Sequence, residues 1–307
     1  MTADGVLQAA GESARSIQTV SWVLIAGSLL IFAGMMALLA WALRKRANRV
    51  NSSLWIFGGG VLFPGVVLAA LFAWTLPYTP AWKPLPPAGS LVVSVKAHMW
   101  WWDVRYRDPS SGVEIATANE IRIPTGRPVF LALSSADVIH SFWVPSLAGK
   151  MDMVPGRQQH LVLSADRPGV YRGQCAEFCG EQHAKMALHV VALEAAAFDA
   201  WLAAQAQPAA APATAVHAQG LQAFTANRCD ACHTVRGHAA ESRLGPDLTH
   251  VGSRLHLAAG TLANTQEQRA HWIAHVQQVK PGARMPSYDR LDAQSLEAIS
   301  QWLGSLK

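Results

Sequence analysis

Between Glu12 and Asp103 the chain carries no aspartate or glutamate. Two predominantly apolar runs lie in that span, Ser21 to Leu43 and Leu54 to Leu76, and neither holds a charge. Each exceeds the roughly 20 residues that a helix needs to cross a bilayer core. Two such runs read as a transmembrane hairpin over residues 21–76, with helices at 21–43 and 54–76, and not as buried helices of a soluble domain. The low charged fraction of 15% agrees. Pro64 is tolerable in the second run, because neighbouring helices can satisfy the freed carbonyl. Gly65, Ala69 and Ala73, and likewise Ala33 and Ala37, recur every four residues and would let helices approach closely.

The connecting loop carries Arg44, Lys45, Arg46 and Arg49. Basic loops stay in the cytoplasm. The N-terminus and everything after Leu76 are therefore expected outside. Residues 1–20 form a polar extracytoplasmic segment with Arg15 as its one base, and no signal-peptide pattern is expected there. A net charge of +5 is modest, and no Lys/Arg run points to nucleic acid.

Residues 77–205 read differently. Thr79 to Gly89 is a proline-rich, stiff connector. Strand-like runs follow at Leu91–Ala97, Glu120–Ile123, Val129–Leu133, His160–Leu163 and Met186–Leu193. Turn signals at Asp108-Pro109-Ser110, Pro124-Thr125-Gly126 and Arg167-Pro168-Gly169 separate them. Short strands with this punctuation predict an all-β sandwich or barrel. Within it, Cys175, Cys179, His183 and Met186 fall inside twelve residues, and His140 offers a second imidazole upstream. Thiolate, thioether and imidazole together favour copper over hard cations. Two alternatives stay open on these residues: a structural zinc site, or a Cys175–Cys179 disulfide.

The stretch Gln174-Cys175-Ala176-Glu177-Phe178-Cys179-Gly180, with His183 and Met186, resembles the binuclear copper loop of cytochrome c oxidase subunit II. Asp137-Val138-Ile139-His140-Ser141-Phe142-Trp143-Val144-Pro145 resembles its upstream ligand strand. Pro155-Gly156-Arg157 and Trp100-Trp101-Trp102 are similar too. The resemblance implies a cupredoxin barrel holding the binuclear copper centre called CuA. It implies bridging by Cys175 and Cys179, terminal ligation by His140 and His183, and weak axial ligation by Met186 and the Glu177 carbonyl. It implies a magnesium ion reached by the Glu177 side chain at the subunit I interface. It makes Trp100 the surface aromatic through which an electron enters, where core packing is the plainer reading. His160 and His189 read as ordinary strand residues. Much of the family has a glutamate near the start of the second membrane helix. Asn51-Ser52-Ser53 stands there instead, so no proton-uptake role is carried over.

Residues 194–205 read as a helix closing the copper domain, and the Ala/Pro-rich stretch 206–216 as a linker. Beyond it, Cys229-Asp230-Ala231-Cys232-His233 is the C-x-x-C-H signature of covalent haem c attachment, with His233 on the iron. Met285 is the only methionine after His233 and so the expected sixth ligand. His238, His250, His256, His271 and His275 are bis-histidine alternatives. Gly245-Pro246-Asp247-Leu248 resembles the cytochrome c loop whose proline carbonyl orients the proximal histidine. Helical signals at His217–Asn227 and Gln266–Gln278, and after a cap at Asp292, predict an all-α cytochrome c domain over residues 217–307.

The expected protein is thus subunit II of a caa3-type oxidase in a bacterial plasma membrane. Its expected partners are subunits I and III, the lipid bilayer, and cytochrome c or a bc1 complex as donor. A copper-containing nitric oxide reductase subunit, and an anchored electron carrier or copper-delivery protein without oxidase activity, are the alternatives.

Overall fold

The computed structural model describes residues 7–44, 51–78, 86, 90–107, 112, 114–239 and 242–307. Lys45, Arg46 and Arg49, most of the Thr79–Gly89 connector and the Asp108-Pro109-Ser110 turn lie outside the described residues. The chain divides into two units, Arg15–Pro84 and the combination of Met1–Ala14 with Leu85–Lys307.

Among the described residues, two helices are long and apolar enough to cross a membrane, Glu12–Arg44 and Leu54–Tyr78. The first, α1 (Glu12–Arg44), begins nine residues before the expected Ser21. In its polar early turns Thr19 and Ser21 return their hydroxyls to the carbonyls of Arg15 and Ile17, at 3.0 and 2.8 Å, so these polar groups are satisfied within the helix. The second starts as a π-helix over Leu54–Leu62 and becomes α2 (Phe63–Thr75) at Pro64. Proline lacks an amide donor and is best placed in a first turn. The three glycines Gly58 to Gly60 give the π segment its backbone freedom.

In the larger unit, ten strands form two five-stranded sheets. In chain order these are β1 (Leu91–His98), β2 (Trp101–Arg107), β3 (Glu114–Ala118), β4 (Glu120–Pro124), β5 (Val129–Ser135), β6 (His140–Trp143), β7 (Met151–Met153), β8 (Gln159–Leu163), β9 (Gly169–Cys175) and β10 (Ala187–Leu193). One sheet runs β3-β2-β1-β5-β8 and the other β4-β10-β9-β6-β7. β1 pairs with β5, and β4 with β10, in parallel; the other ladders are antiparallel. Period-two burial explains β1: Leu91, Val93, Val95 and Ala97 turn inward. Trp102, Tyr106, Phe142 and Tyr171 fill the shared core. The Tyr106 hydroxyl donates to the Arg122 carbonyl and accepts from its amide, at 3.0 and 2.7 Å. α3 (Ala195–Ala206) closes the core with Phe198, while Trp201 meets Tyr106 edge-on at 5.2 Å.

The helical region follows. α4 (Ala215–Ala226) is capped by Thr214, whose hydroxyl accepts from the His217 amide at 3.1 Å. α5 (Gln266–Ala274) is capped by Thr265, and the short α6 is Val276–Val279. α7 (Ala293–Ser305) is capped by Asp292 as expected, at 2.8 Å from the Ser295 amide. α4 crosses α7 at Gly220, where a Cβ would lie 2.2 Å from the Ala298 carbonyl. Phe224, Ile299 and Trp302 pack around that crossing.

Residues 206–216 are not a free tether. The Ala209 amide donates to the Arg236 carbonyl at 2.9 Å, and His250 and His238 donate to the Gln207 and Ala210 carbonyls at 3.0 and 2.9 Å. The Ala/Pro composition lacks apolar periodicity, but its backbone groups still find partners. A small hairpin, β11 (His256–Leu257) and β12 (Leu262–Ala263), rests on β10. Ala258 and Ala259 in its turn both have positive φ, 50° and 55°. That conformation costs a non-glycine residue roughly 1–2 kcal/mol, and contacts with the β-sheet domain hold it in place.

Candidate metal centre and haem cavity

The soft side chains converge at one end of the β-sheet domain. β9 delivers Cys175, β6 delivers His140, and the loop between β9 and β10 brings Cys179, His183 and Met186. The two sulfurs lie 3.8 Å apart. This exceeds the bonded distance of about 2.05 Å, so the disulfide alternative does not describe the pair. Cys175 Sγ is 3.8 Å from His140 Nδ1, and Cys179 Sγ is 3.5 Å from His183 Nδ1 and 3.9 Å from Met186 Sδ. The Glu177 carbonyl is 3.2 Å from Cys175 Sγ. Its carboxylate turns elsewhere, 3.4 Å from the Lys150 ammonium. His140, both cysteines and Met186 are buried. Two thiols, two imidazole nitrogens and a thioether pointing into one enclosed place fit a soft or borderline metal.

Hydrogen bonding orients one imidazole of the set. His140 Nε2 donates to Asp137 at 2.8 Å, which leaves Nδ1 as the nitrogen that faces Cys175. Burial lowers the His140 pKa, but Cys175 and Asp137 outweigh it and the net shift is upward. Cys179 donates to Cys175 and, with His140 nearby, holds the Cys175 thiol far below its usual value. Cys179, as the donor of that pair, is pushed up.

Trp100 differs from its expectation as a surface aromatic. It is half-buried, it donates from Nε1 to the Cys179 carbonyl at 2.8 Å, and the helical region covers it. His189 is likewise more than a strand residue, since its ring stacks on His256 at 4.0 Å and 10°.

Trp100 also lines a cavity of about 420 Å³, together with Cys229, Cys232, His233, Pro246 and Met285. His233 Nδ1 donates to the Pro246 carbonyl at 2.8 Å, so Nε2 keeps a free lone pair. Burial holds the imidazole pKa below its ordinary value, and burial raises the Cys229 thiol to about 11. A Cβ at Gly245 would stand 2.7 Å from His233 Cε1, so only glycine permits this approach. The Met285 loop is tied down by Gln277, whose amide donates to the Ala283 and Met285 carbonyls, each at 2.8 Å. Of the alternative histidines, His256 lines the cavity and His238, His250, His271 and His275 do not.

Sequence reasoning missed three residues here. Asp137 was quoted in its motif without a role. Arg254 lines the cavity, and its buried Nε finds no hydrogen-bond partner among the described residues. An anionic group of a bound molecule would satisfy it, as the carboxylates of a haem could. Lys280 joins the two domains and carried no motif at all.

Residues 91–193 match the periplasmic domain of cytochrome c oxidase subunit II, and residues 217–307 match cytochrome c. The chain carries the periplasmic domain of cytochrome c oxidase subunit II, with a cytochrome c domain fused behind it. Among curated relatives, a cytochrome c oxidase subunit 2 of Alkalihalophilus pseudofirmus is 38% identical over 73% of this chain and 64% of its own. That of Bacillus sp. strain PS3 is 32% identical over 71% of this chain and 63% of its own. The chain therefore spans just under two thirds of the length of these two relatives. A crystal structure of the periplasmic domain of subunit II from Bradyrhizobium japonicum aligns with 28% identity and a TM-score of 0.36, covering 39% of this chain and 95% of that one. The copper domain is the β-rich, cupredoxin-like unit, and the helical region is the cytochrome c domain.

Proposed function

We propose that the chain acts as subunit II of a caa3-type cytochrome c oxidase, anchored in a bacterial plasma membrane by two crossings. Both termini and both redox domains would lie on the outer side, with subunits I and III as partners. The observation that carries this reading is the placement of Trp100, which touches the cysteine loop on one side and lines the His233 cavity on the other. When bound, the groups would supply one-electron transfer: haem c would accept from cytochrome c or a bc1 complex, and binuclear CuA would deliver to haem a of subunit I, where oxygen is reduced to water.

The chain's own residues hold, orient and shield. Cys175, Cys179, His140, His183, Met186 and the Glu177 carbonyl would together hold the copper centre. Asp137 fixes the nitrogen that His140 presents. Burial of the cluster excludes water, which keeps the surroundings of the metals from rearranging as charge changes. Cys229 and Cys232 would take the thioether bonds, the Pro246 carbonyl sets the His233 ring, and His233 and Met285 would hold the haem iron. Arg254 would meet the haem carboxylates. The half-exposed Glu177 carboxylate would contribute to a magnesium ion at the subunit I boundary.

Electron paramagnetic resonance on the full chain, copper-loaded and prepared without haem attachment, tests the centre. A signal split by two equivalent copper nuclei sharing one unpaired electron is expected. A single-copper signal, or a silent protein holding zinc, would end the relay reading.

A further inference from the structure

Lys280 stands between the two redox domains. It follows α6 in the cytochrome domain, just ahead of the Met285 loop, and is only 3% exposed. Its ammonium donates to three backbone carbonyls: Trp100 at 2.7 Å, Lys185 at 2.8 Å and Ala258 at 3.2 Å. The first two belong to the copper domain and the third to the cytochrome domain. Each acceptor adjoins something that matters. Trp100 binds the Cys179 carbonyl, Lys185 directly precedes Met186, and Ala258 opens the left-handed turn. The next carbonyl in that turn, Ala259, accepts the Ala187 amide at 2.9 Å.

An ammonium has three N–H donors, which matches three carbonyls. None of these partners is a carboxylate, and burial pulls the Lys280 pKa down to about 7. A buried cation with no counter-charge is costly, and an apolar side chain of similar volume often serves stability as well or better. Packing alone therefore does not account for a lysine here.

We propose that Lys280 is a positioning residue, which fixes the cytochrome domain's Met285 loop on the Trp100 face of the copper domain. The role presupposes the haem c and copper occupancy proposed above. Its consequence is a fixed spacing between the redox domains, where a hinged domain would need to find the copper face for each transfer.

The test uses the full chain carrying both groups, with Lys280→Met and Lys280→Gln beside the parent. An added photoexcited ruthenium dye, regenerated by a sacrificial amine, gives one electron to the haem on a light pulse, and the electron that leaves the iron is followed as it arrives at the copper pair; no bond within the protein changes. In Lys280→Met the rate is expected to fall roughly ten-fold or more and to become dependent on solvent viscosity. Deuterium uptake at the Ala187 amide should speed up. Haem content, copper signal and melting temperature should stay at parental values. Lys280→Gln, which keeps two N–H donors, should recover part of the rate. A parental rate in Lys280→Met overturns the proposal. If both variants lose haem or unfold, Lys280 is structural and the positioning role fails. A parent chain that lacks the copper or haem signals sinks the functional reading instead, which keeps the two failures apart.

Discussion

The indole of Trp100 donates to the Cys179 carbonyl at 2.8 Å. A Cβ at Gly180 would lie 3.2 Å from the same ring, and one at Gly282 would lie 3.5 Å from it. The ring is thus held between the cysteine loop and the Met285 loop. Trp100→Phe keeps an aromatic ring and removes the bond. Denaturant unfolding should show a loss of about 0.5–1.5 kcal/mol, with full copper content by metal analysis. A variant that cannot hold copper would show that the indole shapes the metal site itself.

Asp137 receives His140 Nε2 and the Met99 amide, both at 2.8 Å. Asp137→Asn removes the charge that orients the imidazole. Copper affinity, measured by competition with a chelator, should drop by roughly 10–100-fold. Unchanged affinity would mean that packing alone orients the ring.

Gly220→Ala should destabilise the cytochrome domain, because the new methyl would stand 2.2 Å from the Ala298 carbonyl and 2.6 Å from Trp302 Cβ. The expected loss is about 1–3 kcal/mol, read from the thermal midpoint. A variant as stable as the parent would show that α4 and α7 can separate at no cost.

Burial lowers the His256 pKa from 6.5, and the nearby Glu120 carboxylate only partly restores it. The unfolded chain therefore takes up a proton at this residue before the folded chain does. The stability associated with the His256–His189 stack is fully present above pH 6.5 and declines as pH falls through that value toward the lower folded one. Urea midpoints above and below pH 6.5 measure this. His256→Gln should flatten the dependence, and an equal slope in that variant would assign the effect to another group.

Met285→Leu should leave haem covalently attached but lower its reduction potential, because thioether ligation raises it. A redox titration with an unchanged midpoint would remove Met285 as the axial ligand.

Much of this was legible in the sequence. Apolar length alone marked both long helices, period-two alternation marked β1, and short strand-like runs between turn signals marked β4, β5, β8 and β10. Of the strands missed, β2 and β9 are seven residues long, while β7 is three residues long and pairs with β6 beside the metal loop. There His140 and Met153 answer to the site and the turn more than to alternation. The early start of α1 was hidden because Thr19 and Ser21 look polar yet satisfy themselves within the helix. Ligand types could be read from chemistry, since thiols, thioether and imidazoles declare their preferences. Asp137, Arg254 and Lys280 could not. Asp137 is an ordinary carboxylate until its bond to His140 is seen, Arg254 lines the cavity only once the chain is folded, and the Trp100 carbonyl that Lys280 meets is 180 residues away.

The segment from Gln205 to Ala210 carries a last consequence. Arg236 binds the carbonyls of Gln205 and Ala206, and backbone bonds fasten the next few residues. Two proteins joined by a short connection meet at an effective concentration in the millimolar range or above. With the connection itself strapped down, the cytochrome domain has little volume to explore. Its encounter with the copper domain is then independent of how many copies the cell makes, and the contact can stay polar and modest in area yet always be made. Expression level sets how many chains exist, but not how often each cytochrome domain meets its own copper domain.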